Sequence, residues 1–184
     1  MSKKINYIIS ELKDQYLIDD NLRPWIIGFS GGKDSTALLQ LVWLAISEVP
    51  IEERKREVYV VCNDTLVENP VIQAYVYEVL KKIKEAAASM SMPIRVETTI
   101  PRLDTFWVNV IGRGYPVPNN AFRWCTDKMK IKPTSRFLTD QVAENGEAII
   151  LIGTRSSEST TRAKSIKKHE IKGKRLTKHP HNPN

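Results

Sequence analysis

The sequence predicts an α/β fold, a doubly wound and mainly parallel sheet with helices on both faces. Short apolar runs alternate with longer segments whose apolar residues recur at helical spacing, the order expected of parallel strands joined by crossover helices. The clearest runs are continuous rather than alternating, as in strands buried on both faces. The first of them stops at a glycine pair that opens directly into a helix, a strand–turn–helix junction typical of ligand sites in such sheets.

Each element follows from its own pattern. Ile5, Ile8, Ile9 and Leu12 share one helix face, so a short leading helix is expected over Ile5 to Gln15, before the polar break at Asp19-Asp20-Asn21. Trp25 to Ser30 is the first core strand. Ala37, Leu38, Leu41, Val42, Leu44, Ala45 and Val49 predict a helix from Lys33 to about Glu48, ended by Pro50. Val58 to Cys62 is a second strand. Val71, Ala74, Tyr75, Val79, Leu80 and Ile83 predict a helix from about Pro70 to Met90, with proline in a first turn that tolerates it. Ile94 to Ile100 is a third, weaker strand, Pro133 to Ala143 a further helix and Ala148 to Ile152 a last strand. Thr105 to Lys132, with Trp107, Trp124, Pro116, Pro118, Gly112 and Gly114, fits neither period. It reads as a long excursion containing short helices, and excursions of this length are more often functional than filler.

Composition narrows the class. A chain of 184 residues, 41% of them apolar, with no run long enough to cross a bilayer, is expected to bury one core in water. Met1 to Ser10 lacks the apolar stretch of a secretory signal, so a cytoplasmic protein without a membrane partner is expected. Two cysteines, Cys62 and Cys125, are too few for a disulfide scaffold and suit a reducing compartment. The net charge of +7 is local. Arg162, Lys164, Lys167, Lys168, Lys172, Lys174, Arg175 and Lys178 face Glu170 alone, and the rest of the chain is balanced. Such a segment attracts a polyanion, nucleic acid above all, or is simply a solvated end. His169, His179 and His181 lie in the same stretch with no cysteine or carboxylate cluster beside them, and suit the solvated reading better than a metal site.

Ser30-Gly31-Gly32-Lys33-Asp34-Ser35-Thr36 sits between the first strand and the first long helix. Glycines let backbone N–H groups approach an anion, the helix N-terminus adds partial positive charge, the three hydroxyls add donors and Lys33 a full charge. Asp34 stands where a Walker A loop needs Ser or Thr, and the dinucleotide pattern G-x-G-x-x-G is absent. The competing reading is a glycine turn capped by Ser30 or Asp34. After the last strand, Gly153, Arg155, Glu158 and Arg162 combine a close-approach glycine with guanidinium forks that match phosphoryl oxygens, or else Arg155 and Glu158 form a local ion pair. Cys125 lies among Arg123, Lys128 and Lys130, a setting that favours a thiolate, against a plain packed thiol. For Cys62, at a strand end, the packed thiol is the better reading. Arg102, Arg113, Trp107, Tyr115, Phe122 and Trp124 form either a stacking and phosphate surface or a core beneath the loop.

The string from Ser30 to Thr36 resembles the pyrophosphate-binding loop of the ATP pyrophosphatase superfamily, whose fold is the adenine nucleotide α-hydrolase type. Ile152 to Arg162 resembles the second signature of its phosphoadenylyl-sulfate reductase branch. Thr105 to Pro116, Phe122 to Lys130 and Asn63-Asp64-Thr65-Leu66-Val67-Glu68 look like the DndC-type proteins of DNA phosphorothioation, from about Trp25 onward. That resemblance implies an ATP pyrophosphatase acting in sulfur transfer. It implies a nucleotide-binding domain over residues 1–161 and a basic segment over 162–184, together an N-terminal fragment of a longer protein. It implies ATP and Mg2+ as cofactors, held by Ser30, Gly31, Gly32, Lys33, Asp34, Ser35, Thr36, Asp64, Gly153, Arg155, Glu158 and Arg162, with Lys33, Asp34 and Arg155 catalytic. Cys125 is an implied ligand of an iron–sulfur cluster, of the [4Fe-4S] kind, in the full-length protein. The fragment's two cysteines are too few to hold it alone. DNA, a cysteine desulfurase and the other phosphorothioation proteins are the implied partners. The alternatives are an adenylyl-sulfate or phosphoadenylyl-sulfate reductase, a tRNA-thiolating enzyme, and a nucleotide-binding module without turnover.

Overall fold

The structure, a computed structural model, describes residues 3–18, 22–119, 121–155, 157, 163 and 164. It divides into two compact units, Met1–Ile152 and Gly153–Asn184. The first holds four parallel strands, β1 (Trp25–Gly28), β2 (Val58–Asn63), β3 (Ile94–Thr99) and β4 (Ile149–Leu151), in the order β3-β2-β1-β4. Among the described residues five α-helices accompany them: α1 (Lys3–Ile18), α2 (Lys33–Ser47), α3 (Pro70–Ser89), α4 (Trp124–Thr126) and α5 (Lys132–Asn145). Among the described residues no helix is long and apolar enough to cross a membrane.

Strand pleating sorts the core onto two faces. Trp25, Ile27, Val58, Val60 and Cys62 pack with Tyr16 of α1, with Leu39, Val42 and Ile46 of α2, and with Leu80 and Ala87 of α3. Ile26, Tyr59 and Val61 point the other way, onto Phe137 and Leu138 of α5. Ile27, Val42, Ile46, Val58 and Val60 are fully buried, each contributing about 1.5–3 kcal/mol by leaving water. Helices therefore cover both faces, and the α/β class expected from the sequence is the one observed.

This topology decides where a ligand fits. From β1 the chain steps through α2 to β2 and through α3 to β3, then returns over the excursion and α5 to β4 on the far side of β1. β2 and β4 both pair with β1 in parallel. The connections on its two sides thus run over opposite faces, which opens a crevice outside the carboxyl ends of β1 and β4.

The excursion is ordered from within. Asn109, fully buried in the π-helical turn Val108–Gly112, donates its side-chain amide to the Thr105 carbonyl at 2.8 Å, and its own carbonyl accepts the Tyr115 N–H at 3.0 Å. Phe106 stacks on Trp124 at 5.6 Å, and Tyr115 meets the same indole edge-on at 5.4 Å. Trp124 is thus a small core beneath the loop, whereas Trp107 and Phe122 remain exposed.

One boundary differs from the sequence expectation. The helix expected to start at Pro133 continues upstream without a break, through the π-helical stretch Asp127–Ile131 into α4. Proline lacks an N–H, and its ring crowds the carbonyl four residues earlier in a tight helix. The wide turn just ahead of Pro133 accommodates both effects.

Candidate active site

The loop after β1 occupies the crevice. Gly31 has φ +70°, and a Cβ there would stand 2.9 Å from Val76 Cγ2 of α3, so the turn depends on glycine for both backbone and space. The residue preceding α2 is Gly32, which has no side chain to cap the helix, while the Ser30 hydroxyl accepts the Gly32 N–H at 3.4 Å, so Ser30 closes the glycine turn without capping the helix proper. Ser35, buried, donates to the Gly32 carbonyl at 2.9 Å and accepts the Ser30 N–H at 3.3 Å. Its hydroxyl shapes the loop from behind. Ser30, Gly32, Lys33 and Thr36 are exposed in front of it. A curved row of backbone at a helix N-terminus, flanked by a hydroxyl and an ammonium group, is suited to phosphate oxygens.

Beside the loop opens a cavity of about 200 Å³, walled by Phe29, Val76 and Leu80 and reaching Ser30 on one side. Its polar residues come from the end of β2 and the turn that follows. Asp64 is buried, and its carboxylate accepts bonds from the Leu66 N–H at 2.8 Å, from the Gln73 amide at 3.1 Å and from the Tyr77 hydroxyl. Burial works against its charge, but the Tyr77, Leu66 and Gln73 bonds outweigh that effect and hold the carboxyl below its usual range. The bond to Leu66 closes a turn in which that residue takes φ +62°, a left-handed conformation. On the other side of the strand, Asn63 Oδ1 accepts the hydroxyls of Thr99 and of Thr134, tying the start of α5 to β2 and β3.

At the exposed rim, Glu68 accepts the Thr65 hydroxyl at 2.9 Å and pairs with Lys130 of the π-helical stretch at 3.9 Å. Cys62 lies in the same wall. Burial pushes its thiol up, the negative charges of Asp64 and Glu68 push further, and Lys130 opposes them. It is a packed, protonated thiol, as its place at a strand end suggested.

The structure therefore brings Ser30 and Asp64 to the wall of one cavity at the carboxyl ends of β1 and β2, with Gly31 to Thr36 leading on from Ser30 into α2. Asp64, expected to meet a ligand, spends its oxygens on the chain. Gly153 and Arg155 belong to the second unit, and Glu158 and Arg162 lie outside the described residues. Cys125 is half-buried in α4, and among the described residues no group of three or more His, Cys, Asp or Glu is arranged to hold a metal ion. Sequence reading missed Gln73 and Tyr77, and it assigned Lys130 to the setting of Cys125 where the structure pairs it with Glu68. Gln73 and Tyr77 stand one helical turn apart on α3, a spacing that signals a shared face but not what the face meets.

Comparison with known proteins agrees with this architecture. A stretch of 148 residues, 80% of the chain, is 27% identical to an uncharacterized protein of Methanocaldococcus jannaschii and covers 26% of it, so the chain spans about a quarter of that relative's length. Residues 24–174 match the family model described as the phosphoadenosine phosphosulfate reductase domain. That match takes in the crevice, its loop and the sheet that carries them, and the chain belongs to the phosphoadenosine phosphosulfate reductase domain family.

Proposed function

We propose that this domain binds ATP with the base in the cavity beside β2 and the phosphates over Ser30 to Thr36, and cleaves it between the α and β phosphates to serve sulfur transfer. The observation that carries the reading is the juxtaposition of an anion-suited loop and an apolar-walled cavity that share Ser30, at the carboxyl ends of the parallel strands β1 and β2. An acceptor oxygen bonds to the α phosphorus, the bridging P–O bond breaks, and pyrophosphate leaves. Lys33 and the α2 N-terminus lie where negative charge grows on that leaving group. By the resemblance of their motif, Gly153, Arg155, Glu158 and Arg162 serve phosphate as well.

The excursion and the Asn63 to Glu68 turn resemble DndC-type proteins, and on that basis the acceptor is a non-bridging oxygen of a DNA backbone phosphate. A sulfur nucleophile from a cysteine desulfurase then displaces AMP, which carries the former phosphate oxygen away. Adenylation supplies the leaving group that an oxide lacks. Asp34 is the residue in this loop suited to a magnesium ion, which takes one or two carboxylates and fills its shell with phosphate and water; its charge would offset that of the phosphates. A four-cysteine cluster does not fit the two cysteines of this chain, Cys62 being packed in the cavity wall. Cys125 serves one only if other ligands come from sequence outside these 184 residues.

The test is release of AMP and pyrophosphate from magnesium ATP, with and without duplex DNA, by this chain and by its Ser30→Ala and Lys33→Ala variants. Products that both variants lose, and that DNA stimulates, are the expected result. ATP binding without products leaves a nucleotide-binding module, and stimulation by tRNA rather than DNA redirects the acceptor.

A further inference from the structure

Building on that nucleotide reading, we infer that the site selects against a 3′-phosphate on the ribose, with Glu68 as the residue that sets the selection. A family described by phosphoadenosine phosphosulfate raises the question of which adenine nucleotide this member takes. A base in the cavity and 5′-phosphates on the loop leave the ribose at the rim, because Ser30 borders both.

The charged residues that line the cavity are three. Asp64, buried, is a carboxylate held by its donors. Glu68 is exposed, oriented by the Thr65 hydroxyl at 2.9 Å. Lys130 is the single cation among the lining residues, and it is already paired with Glu68 at 3.9 Å. The cavity wall therefore carries a net charge of one negative unit.

A 3′-phosphate brings close to two negative charges to this rim. To bind, it must be repelled by Glu68 or must separate Lys130 from it, and the buried Asp64 adds repulsion in a wall that water screens poorly. A free ribose hydroxyl meets the same carboxylate as a hydrogen-bond donor. The geometry thus favours ATP or adenylyl sulfate over phosphoadenylyl sulfate.

Calorimetric titration of the full chain with two matched pairs tests this: AMP against adenosine 3′,5′-bisphosphate, and adenylyl sulfate against phosphoadenylyl sulfate. The expected result is that the 3′-phosphate weakens binding about tenfold or more in both pairs at low salt, and that Glu68→Gln narrows the ratio. Equal or tighter binding of the 3′-phosphorylated member overturns the inference while leaving nucleotide binding intact. A ratio that Glu68→Gln and Glu68→Ala both leave unmoved overturns the assignment to Glu68. Binding of none of the four nucleotides, nor of ATP, overturns the underlying reading and the inference with it.

Discussion

The two ends of this sheet are built on opposite principles. At the amino end, Arg56 is almost completely buried, yet its guanidinium donates to the carbonyls of Tyr16 at 3.1 Å and Arg23 at 3.0 Å and lies over the rings of Tyr16 and Trp25. Tyr16 returns a bond to the Arg56 carbonyl at 2.9 Å, and burial pushes that phenol up and keeps it a donor. Nearby, Arg54 satisfies the carbonyls of Ser47, Val49 and Met90. At the carboxyl end β1 runs into a glycine pair and a helix start without a side-chain cap, with Ser30, Lys33 and Thr36 exposed. The arginines of one end close loops onto the core, as Asp64 alone does among the charged groups of the cavity wall at the other. The other keeps donors facing solvent, the arrangement a ligand needs and stability does not.

If that division is right, damage to the amino end unfolds the protein and damage to the carboxyl end disarms it. The largest effect is expected for Arg56→Met, which leaves two buried carbonyls without their donor; bonds to a charged group contribute about 1.5–3 kcal/mol each, so a loss of about 3 kcal/mol or more in urea unfolding is expected. Nucleotide affinity per folded molecule should stay unchanged. A stable variant with weakened ATP binding would break the comparison.

Gly31→Ala sharpens it from the other side. The left-handed conformation costs alanine about 1–2 kcal/mol, and its methyl meets Val76 besides. Loss of ATP binding well beyond the loss of stability is expected. Adding Val76→Ala removes the steric part but not the backbone part, so the double variant should recover some affinity without reaching that of the parent chain. Full recovery would mean that crowding by α3, and not the glycine conformation, shapes the loop.

The same contrast explains what was legible in the sequence. Strands, long helices and the phosphate loop are local patterns, where three or four residues state their own conformation, and they fall within a few residues of where periodicity put them. The buried Arg56 was not legible, because an arginine in a run of charged residues ordinarily faces water, and its partners lie 33 and 40 residues away. Asp64 was read as a ligand for the complementary reason. Its motif was visible, but the donors that occupy it, on a helix 9 and 13 residues further on, were not. The Pro133 boundary misled because proline marks a helix start only when the preceding turn is absent or wound at ordinary pitch.

The smallest predicted effect tests Asp64 itself. Its carboxyl is held below its ordinary value of 3.8 in the folded state, so it contributes stability that is present above that value and is lost as pH falls through the lower folded one. Asp64→Asn keeps an acceptor for the Leu66 N–H but carries no charge to titrate. A comparison of thermal midpoints from neutral pH down to about pH 3 should therefore show the parent chain falling more steeply at the acid end, with the two curves drawing together. Tyr77→Phe, which removes one of the three donors, should give an intermediate slope. Parallel curves would mean that the Asp64 bonds are as strong to the neutral acid as to the carboxylate, and the residue would then hold its turn by shape and not by charge.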